Sequence, residues 1–516
     1  MLLLIVTNFA IGALLYGPAL RGAPISDDLI TLYIPELQAL SWANLRVIFD
    51  PGGPVSAALF NFAPVHALLH AFEIQLFGHD LLALHLVNVA FHALTSALLV
   101  ALFIRTGIPR GAALLGGYLF LAHPACVEAV AWINQLKTTS AMSLAIGALL
   151  THRRRPALAT VLFGISLLCK AQAAVALPVL AVLEWTRDAG TSRFPTPRRW
   201  LWVAAWAAIF AIFAAFEAPV LVGLGTVERD AFATDSLLHF RTVVAIAGRY
   251  LAMAATGYGV SAMHEPPSAN SWADPWWLFG LVVLLLLAAR TAHAFRQRRS
   301  EAAYWVWAAV SYAPVSQVLT FVVMISDRYL YAVLPGLIGA LLLAGRDAIE
   351  ALRDEMLRRR VATGAAVAMG ALAAVFGAQV VTERAAVWRH PDSYLVDAAL
   401  HYPDGATANA LRARGLAQRG DGPGATAALR TARERGWTWV GSLFTDAAFN
   451  PVREDPSFQA LIRELTEETV RNAWALPAPT PAELQSLAQL HRWRGEPARA
   501  DEALAWLAAT LSQKKP

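Results

Sequence analysis

From Leu81 to Ile104 the chain carries no Asp, Glu, Lys or Arg, and comparable apolar runs recur through the first 382 of its 516 residues. A helix rises ~1.5 Å per residue, so ~20 such residues cross a hydrocarbon core of ~30 Å. Runs that reach or approach this length lie near 1–20, 81–104, 111–125, 129–151, 157–171, 173–186, 200–220, 276–294, 302–324, 329–346 and 361–382. No globular interior can hide them all. Hydrophobic residues make up 57% of the chain and its 33 glycines raise the apolar share to about 63%, against ~45–50% in a soluble domain. A soluble enzyme is excluded, and the expected fold class is all-α: a polytopic membrane helix bundle of about 11 spans.

Arginines orient the bundle. Arg105 and Arg110, Arg153 to Arg155, Arg187, Arg193, Arg198 and Arg199, Arg290, Arg296, Arg298 and Arg299, and Arg346, Arg353 and Arg358 to Arg360 fall in alternate loops, 18 in all. The opposite loops are longer yet hold eight cations, so the arginine-rich face is expected to be cytoplasmic. The apolar segment 242–263 breaks the alternation, because the loop after it, His264 to Asp274, has no arginine. It is expected to be re-entrant or to lie at the outer interface. Met1 then lies inside, and the outer loop 21–80 and the C-terminal region lie outside. Met1 to Leu20 lacks a basic start and is expected to be a span rather than a signal peptide.

Charge density separates two regions. Residues 1–382 hold 47 charged side chains, about 12%, and residues 383–516 hold 32, about 24%. The net +5 belongs wholly to the first region, as the orienting arginines require, and is not a nucleic-acid surface. The second region reads as soluble helical hairpins, Ala406–Arg419 with Gly422–Arg435 and Pro481–Arg494 with Pro497–Leu511. Small residues such as Ala410, Ala417, Ala425 and Ala428 suit tetratricopeptide-type pairs, and a generic helical cap is the competing description. Loop 21–80 has the amphipathic pattern of interfacial helices, with Trp42, Leu45, Phe49, Phe60 and Phe72 among polar residues.

Ionisable groups within or beside a membrane bundle are costly, so each is a site candidate. Asp27 and Asp28 follow the first run; one of two adjacent carboxylates suits a general base, or simply caps the next helix. His123 and Glu128 flank Pro124 and Cys126, where a hydrogen-bonded pair fixing a helix break is favoured over an underligated metal. His85, Asn88 and His92 share one helix face after Asp80, and a buried network is favoured over a metal there too. Lys170 and Arg328, the latter in Asp327-Arg328-Tyr329, place two cations near the outer face, where they either hold a phosphate or snorkel to the interface. Cys126 and Cys169 have neither disulfide nor zinc-site spacing. The sequence provides no ligand set for a metal, so no cofactor is expected, a divalent ion being the one left open.

Together these blocks resemble the transmembrane and tetratricopeptide-repeat O-mannosyltransferase type family, in its bacterial members, within the GT-C superfamily of membrane glycosyltransferases. The resemblance runs over about 300 residues, through Asp27-Asp28, Ser41-Trp42-Ala43-Asn44-Leu45, Gln75-Leu76-Phe77-Gly78, His85-Leu86-Val87-Asn88, His123-Pro124, Val127-Glu128-Ala129-Val130-Ala131-Trp132-Ile133, Lys170 and Asp327-Arg328-Tyr329. It implies a GT-C-like domain over 1–382 and an extracytoplasmic tetratricopeptide-like domain over 383–516, in a multi-pass protein of a bacterial cytoplasmic membrane. It implies an inverting transferase that moves a hexosyl or mannosyl group from a polyprenyl-phosphate donor to a hydroxyl of a protein or glycan, held by the C-terminal helices. Asp27 or Asp28 would be the base, Lys170 and Arg328 would bind the donor phosphate, and His123, Glu128, Asp327, Tyr329, His85 and Asn88 would shape the pocket.

The chain also departs from the family pattern. Ala63 replaces a family histidine, Asn134-Gln135-Leu136-Lys137-Thr138 replaces a more highly charged block, and Ala171 follows Lys170 where proline is usual. The alternative from a different class is a non-catalytic membrane scaffold that presents the helical tail to partner proteins. A transporter would require inverted repeats, and the two halves do not match.

Overall fold

The computed structural model describes residues 1–187, 197–222, 235–319, 323–475 and 481–513. Arg193, the side chain of Arg198 and residues 320–322 lie outside what is described. All regular structure among the described residues is helical. The longer helices are α1 (Leu2–Leu15), α2 (Pro64–Phe77), α3 (Leu81–Arg105), α4 (Arg110–Leu121), α5 (Leu136–Thr151), α6 (Pro156–Cys169), α7 (Ala176–Arg187), α8 (Pro197–Val222), α9 (Ser236–Thr256), α10 (Pro275–Arg296), α11 (Glu301–Tyr312), α12 (Asp327–Glu350) and α13 (Glu355–Gln379). They continue as α14 (Pro391–His401), α15 (Ala406–Gln418), α16 (Gly422–Glu434), α17 (Pro456–Ala475), α18 (Pro481–Trp493) and α19 (Pro497–Gln513).

Among the described residues six helical stretches are long and apolar enough to cross a membrane: α3, 199–220 of α8, α9, α10, α12, and 355–387, which begins with α13. A seventh candidate is α4 with the short helix that follows it, bent by 54° at His123-Pro124. Proline has no N–H to give and keeps the residue before it out of the helical region, so the bend falls where the sequence puts it.

Several expected runs are shorter as helices, for local reasons. Helix α1 ends at Leu15 because Gly17-Pro18 follows, and α11 ends at Tyr312 because Pro314 follows. The run expected from 173 opens as a 3-10 turn over Ala171–Val175 before the 12 residues of α7. Of the segment 242–263, residues 242–256 belong to a continuous 21-residue helix, α9, whose N-terminus Asp235 caps through the amides of Leu237 and Leu238 and which Gly257 ends at φ +66. Its arginines do not interrupt it, because Arg241 donates to the Ala269 carbonyl at 2.9 Å and Arg249 stacks over Trp276 at 4.6 Å.

The chain divides into two compact units, and the division comes at 394/395 rather than 382: one holds 1–218, 228–262 and 267–394, the other 219–227, 263–266 and 395–516. In the second, α15 packs on α16 through Ala413, Ala417, Ala425, Leu429 and Ala432, all fully buried, and α18 packs on α19 through Leu487, Ala488, Ala500 and Ala503. Glu265 belongs with this unit and accepts from the Thr407 hydroxyl at 2.6 Å and its amide at 3.1 Å.

In the first unit, helices α9 and α10 cross where both lack a side chain. A Cβ at Gly280 would overlap the Val244 carbonyl oxygen, and one at Gly248 would lie 2.8 Å from the carbonyl oxygen of Trp276. Small residues at a crossing let backbones approach closely, which drives association in lipid. Gly280→Ala is therefore expected to lower the thermal unfolding midpoint in detergent by the equivalent of ~1–3 kcal/mol. Gly364→Ala, where a Cβ meets open space, is expected to leave the midpoint unchanged or raised.

Candidate functional site

The broken segment after α4 exposes carbonyls that no helix satisfies, and polar residues on one face of α3 take them up. Asn88 Nδ2 donates to the carbonyls of Trp132 at 3.0 Å and Ile133 at 3.2 Å, and His92 Nε2 meets the Leu121 carbonyl at 3.1 Å. His92 Nδ1 also meets the Tyr331 hydroxyl at 3.0 Å, and His85 lies buried next to Gly22 and Ala131. The 3–4 spacing thus builds a buried support for the break, not a network in which these three residues bond to one another.

On this support Asn134 joins both acidic residues. Asp28, 2% exposed, accepts from the Asn134 amide at 2.7 Å and the Ile25 amide at 3.0 Å. Asp27 is only half-buried, and its carboxylate accepts from Asn134 Nδ2 at 3.3 Å. The other side of the Asn134 amide, Oδ1, accepts from the Thr31 hydroxyl at 3.0 Å and faces His66 Nε2 at 3.2 Å. These partners orient the amide and assign His66 as the Nε2–H tautomer. Burial first, then the charges of His70 and Lys137, hold His66 well below its ordinary range, so it is neutral. Next to it, His70 Nδ1 bonds Glu73 at 2.6 Å, with the two rings edge-on 4.6 Å apart.

Three cations share this region. Lys170 donates to the Thr138 hydroxyl at 2.7 Å and Gln135 Oε1 at 3.4 Å, so its charge meets dipoles rather than a carboxylate. Lys137, 8% exposed, lies within electrostatic reach of Asp27 and Arg328. Arg328 is paired with Glu128, which also accepts from the Arg328 amide at 2.7 Å and the Ser326 hydroxyl at 2.8 Å. Its guanidinium stacks over Trp132 at 5.4 Å and Tyr329 at 5.0 Å. A groove of about 790 Å³ between α9, α10, α11 and α12 runs to Tyr250, whose hydroxyl accepts from the Ser326 amide at 2.9 Å.

No protein-family model, curated protein or solved structure matches the chain. The site therefore rests on its own geometry. Asp27, Asp28, Lys170, Arg328, Glu128 and Tyr329 are brought together. Asp327 is buried at the first turn of α12, near Cys126 and Tyr250. His123 departs from the expectation: it faces the Ala254 carbonyl at 3.0 Å, packs edge-on against Phe376, and lines a separate apolar groove between α4, α12 and α13. It shapes the helix break rather than the acidic site, and Asn88 likewise acts through the backbone.

Sequence reasoning did not single out Asn134, Gln135, Lys137, Thr138, His66, His70 or Glu73 as site residues. The signal for the last three is a polar stripe at 66, 70 and 73 on one face of an otherwise apolar helix, which buries all three.

Two outcomes are expected. Burial raises Asp28 from its ordinary 3.8 to about 7, against the opposing effect of its two backbone hydrogen bonds. Between those values the unfolded chain has released the proton and the folded chain still holds it, so stability falls as pH rises from about 4 to about 7 and is flat above. Thermal unfolding across pH 4 to 8 should show this slope, and Asp28→Asn should remove it. Arg328→Gln strands a buried carboxylate and should cost ~3–5 kcal/mol, most of it recovered in the Glu128→Gln double variant.

Proposed function

We propose that this protein is an integral-membrane glycosyltransferase that moves a sugar from a polyprenyl-phosphate donor to a hydroxyl of a protein or glycan on the outer side of the membrane. The observation that carries the reading is one polar chain, from the half-buried Asp27 through Asn134, Gln135 and Thr138 to Lys170, with base and cation at its two ends. Asp27 is the base of choice, because it is half-buried and its two donors, the Ser26 hydroxyl and Asn134 Nδ2, each lie at 3.3 Å, whereas Asp28 is buried and held by backbone amides at 2.7 and 3.0 Å. It accepts the proton of the acceptor hydroxyl as that oxygen attacks the anomeric carbon, and the bond from that carbon to the phosphate oxygen breaks. The electron pair leaves with the lipid phosphate, where Lys170 and Lys137 offset the growing charge. Arg328, already matched by Glu128, contributes less than its position in the sequence implies. A single displacement inverts the anomeric centre.

The groove lined by Tyr250 suits the donor's hydrocarbon chain: its walls are mostly Leu, Ala and aromatic side chains, and the Tyr250 hydroxyl bonds Ser326, which in turn donates to Glu128. The expected count of about 11 spans, with the tail outside in a bacterial cytoplasmic membrane, remains part of this reading. The Glu265 bonds to Thr407 support placing the loop after α9 and the tail on one side. The paired helices α15–α16 and α18–α19 fit a tetratricopeptide-like acceptor holder.

The test is transfer from polyprenyl-phosphate hexoses to acceptor hydroxyls by purified protein in vesicles. Asp27→Asn is expected to lose activity ~10²–10⁴-fold while folding normally. Full activity in that variant removes Asp27 as base. A wild type that neither binds nor consumes any such donor, while its tail alone restores function to a deletion strain, selects the scaffold instead.

A further inference from the structure

A second polar cavity, of about 270 Å³, lies at the far end of the same helices. Helix α5 runs from Lys137, beside Asp27, to Thr151, next to His152 in the cavity wall, so the two sites are roughly 22 Å apart. Arg105 reaches the cavity from α3, Arg153 from the turn after α5, and Arg187 from the last turn of α7. Thr106 and Ser300 add hydroxyl groups, and leucines of α3, α5 and α7 line its apolar part.

Among the described residues three arginines face this cavity and one carboxylate, Glu184, answers them. Glu184 is 2% exposed and meets Arg187 at 3.6 Å, while Arg105 donates to the Leu150 carbonyl. Among the described residues Arg153 has no hydrogen bond or ion pair within range. Elsewhere on the same face several arginines have a carboxylate: Arg290 forms two 2.7 Å bonds to Glu301, and Asp347 accepts from Arg299 and Arg346, each at 2.6 Å. Burial, followed by repulsion from Arg187, holds Arg153 below its ordinary range. Orienting the chain requires arginines in the loops, but it does not require three of them to converge on one cavity that, among the described residues, holds a single buried acid.

We infer that this cavity binds a phosphate group, with the Arg105, Arg153 and Arg187 guanidinium groups as its charge partners. Planar guanidinium pairs suit phosphate oxygens, and the cavity is sized for a headgroup or a small phosphorylated molecule. Phosphate supplies the charge that Glu184 alone does not, and its ester substituent has the leucines to rest on.

The experiment uses the full chain in nanodiscs. With phosphatidylcholine replaced in part by phosphatidylglycerol, the thermal midpoint is expected to rise, and the rise to shrink in Arg105→Gln/Arg187→Gln, with binding about tenfold weaker per arginine removed. Arg358→Gln/Arg359→Gln/Arg360→Gln, which removes arginines outside the cavity, should keep the full rise. Glu184→Gln makes the cavity more positive and should enlarge it. A parallel titration of inorganic phosphate in neutral nanodiscs separates the sources: a rise with phosphate alone assigns a soluble phosphate, and a rise with the lipid alone assigns a headgroup. Should the wild type respond to neither, or should the two arginine sets lose the lipid effect equally, the inference is overturned. If the cavity variant does not fold, the wild-type titrations and Glu184→Gln still decide it.

Discussion

The candidate site depends on how a broken helix keeps its carbonyls satisfied where the protein buries them. An unpaired carbonyl in hydrocarbon costs several kcal/mol, so non-helical backbone there survives only when protein groups replace the missing partners. Asn88 and His92 supply them for Leu121, Trp132 and Ile133. With the break thus fixed, Glu128 faces Ser326 and Arg328, and Asn134 faces Asp27 and Asp28. The acidic pair, the lysines and the Arg328 pair are thereby ordered around one irregular stretch rather than around a pocket cut into regular helices.

The two acidic residues show how burial divides labour between identical side chains. Asp28 spends both oxygens on backbone amides and is nearly sealed from solvent, which makes it a structural clamp whose ionisation the fold resists. Asp27 has two long partners, the Ser26 hydroxyl and Asn134 Nδ2 at 3.3 Å each, and remains half-buried, the condition a base needs if an incoming hydroxyl is to reach it. Asn134 holds both in register, its backbone amide on Asp28 and its side-chain amide on Asp27.

Much of this was legible in the residues, and the rest was not for identifiable reasons. The apolar runs marked a helical membrane protein, Pro124 marked the bend, and the spacing of His85, Asn88 and His92 marked one buried face. The adjacency of Asp27 and Asp28 drew attention to both but could not say which was clamped, because the clamp is Asn134, more than 100 residues away. Arg328 looked available for a phosphate since its partner Glu128 is 200 residues earlier. The continuity of the helix through 242–256 was not legible, because the loop arginines do not show that Arg241 and Arg249 have carbonyl and aromatic partners beside their own helix. Runs such as 1–20 and 302–324 were read too long by weighing hydropathy over Pro18 and Pro314.

The span between Glu128 and its partners also imposes an order in time. Glu128 emerges from the ribosome 200 residues before Arg328, a wait of about 10–40 s at ~5–20 residues per second. Throughout that interval the nascent chain carries an acidic group destined for the bundle interior with neither Ser326 nor the guanidinium yet made. The segment around it must therefore stay in a wet or shielded place until the helix beginning at Asp327 arrives. Assembly of the candidate site is a late event in biogenesis, however early its first residues are synthesised.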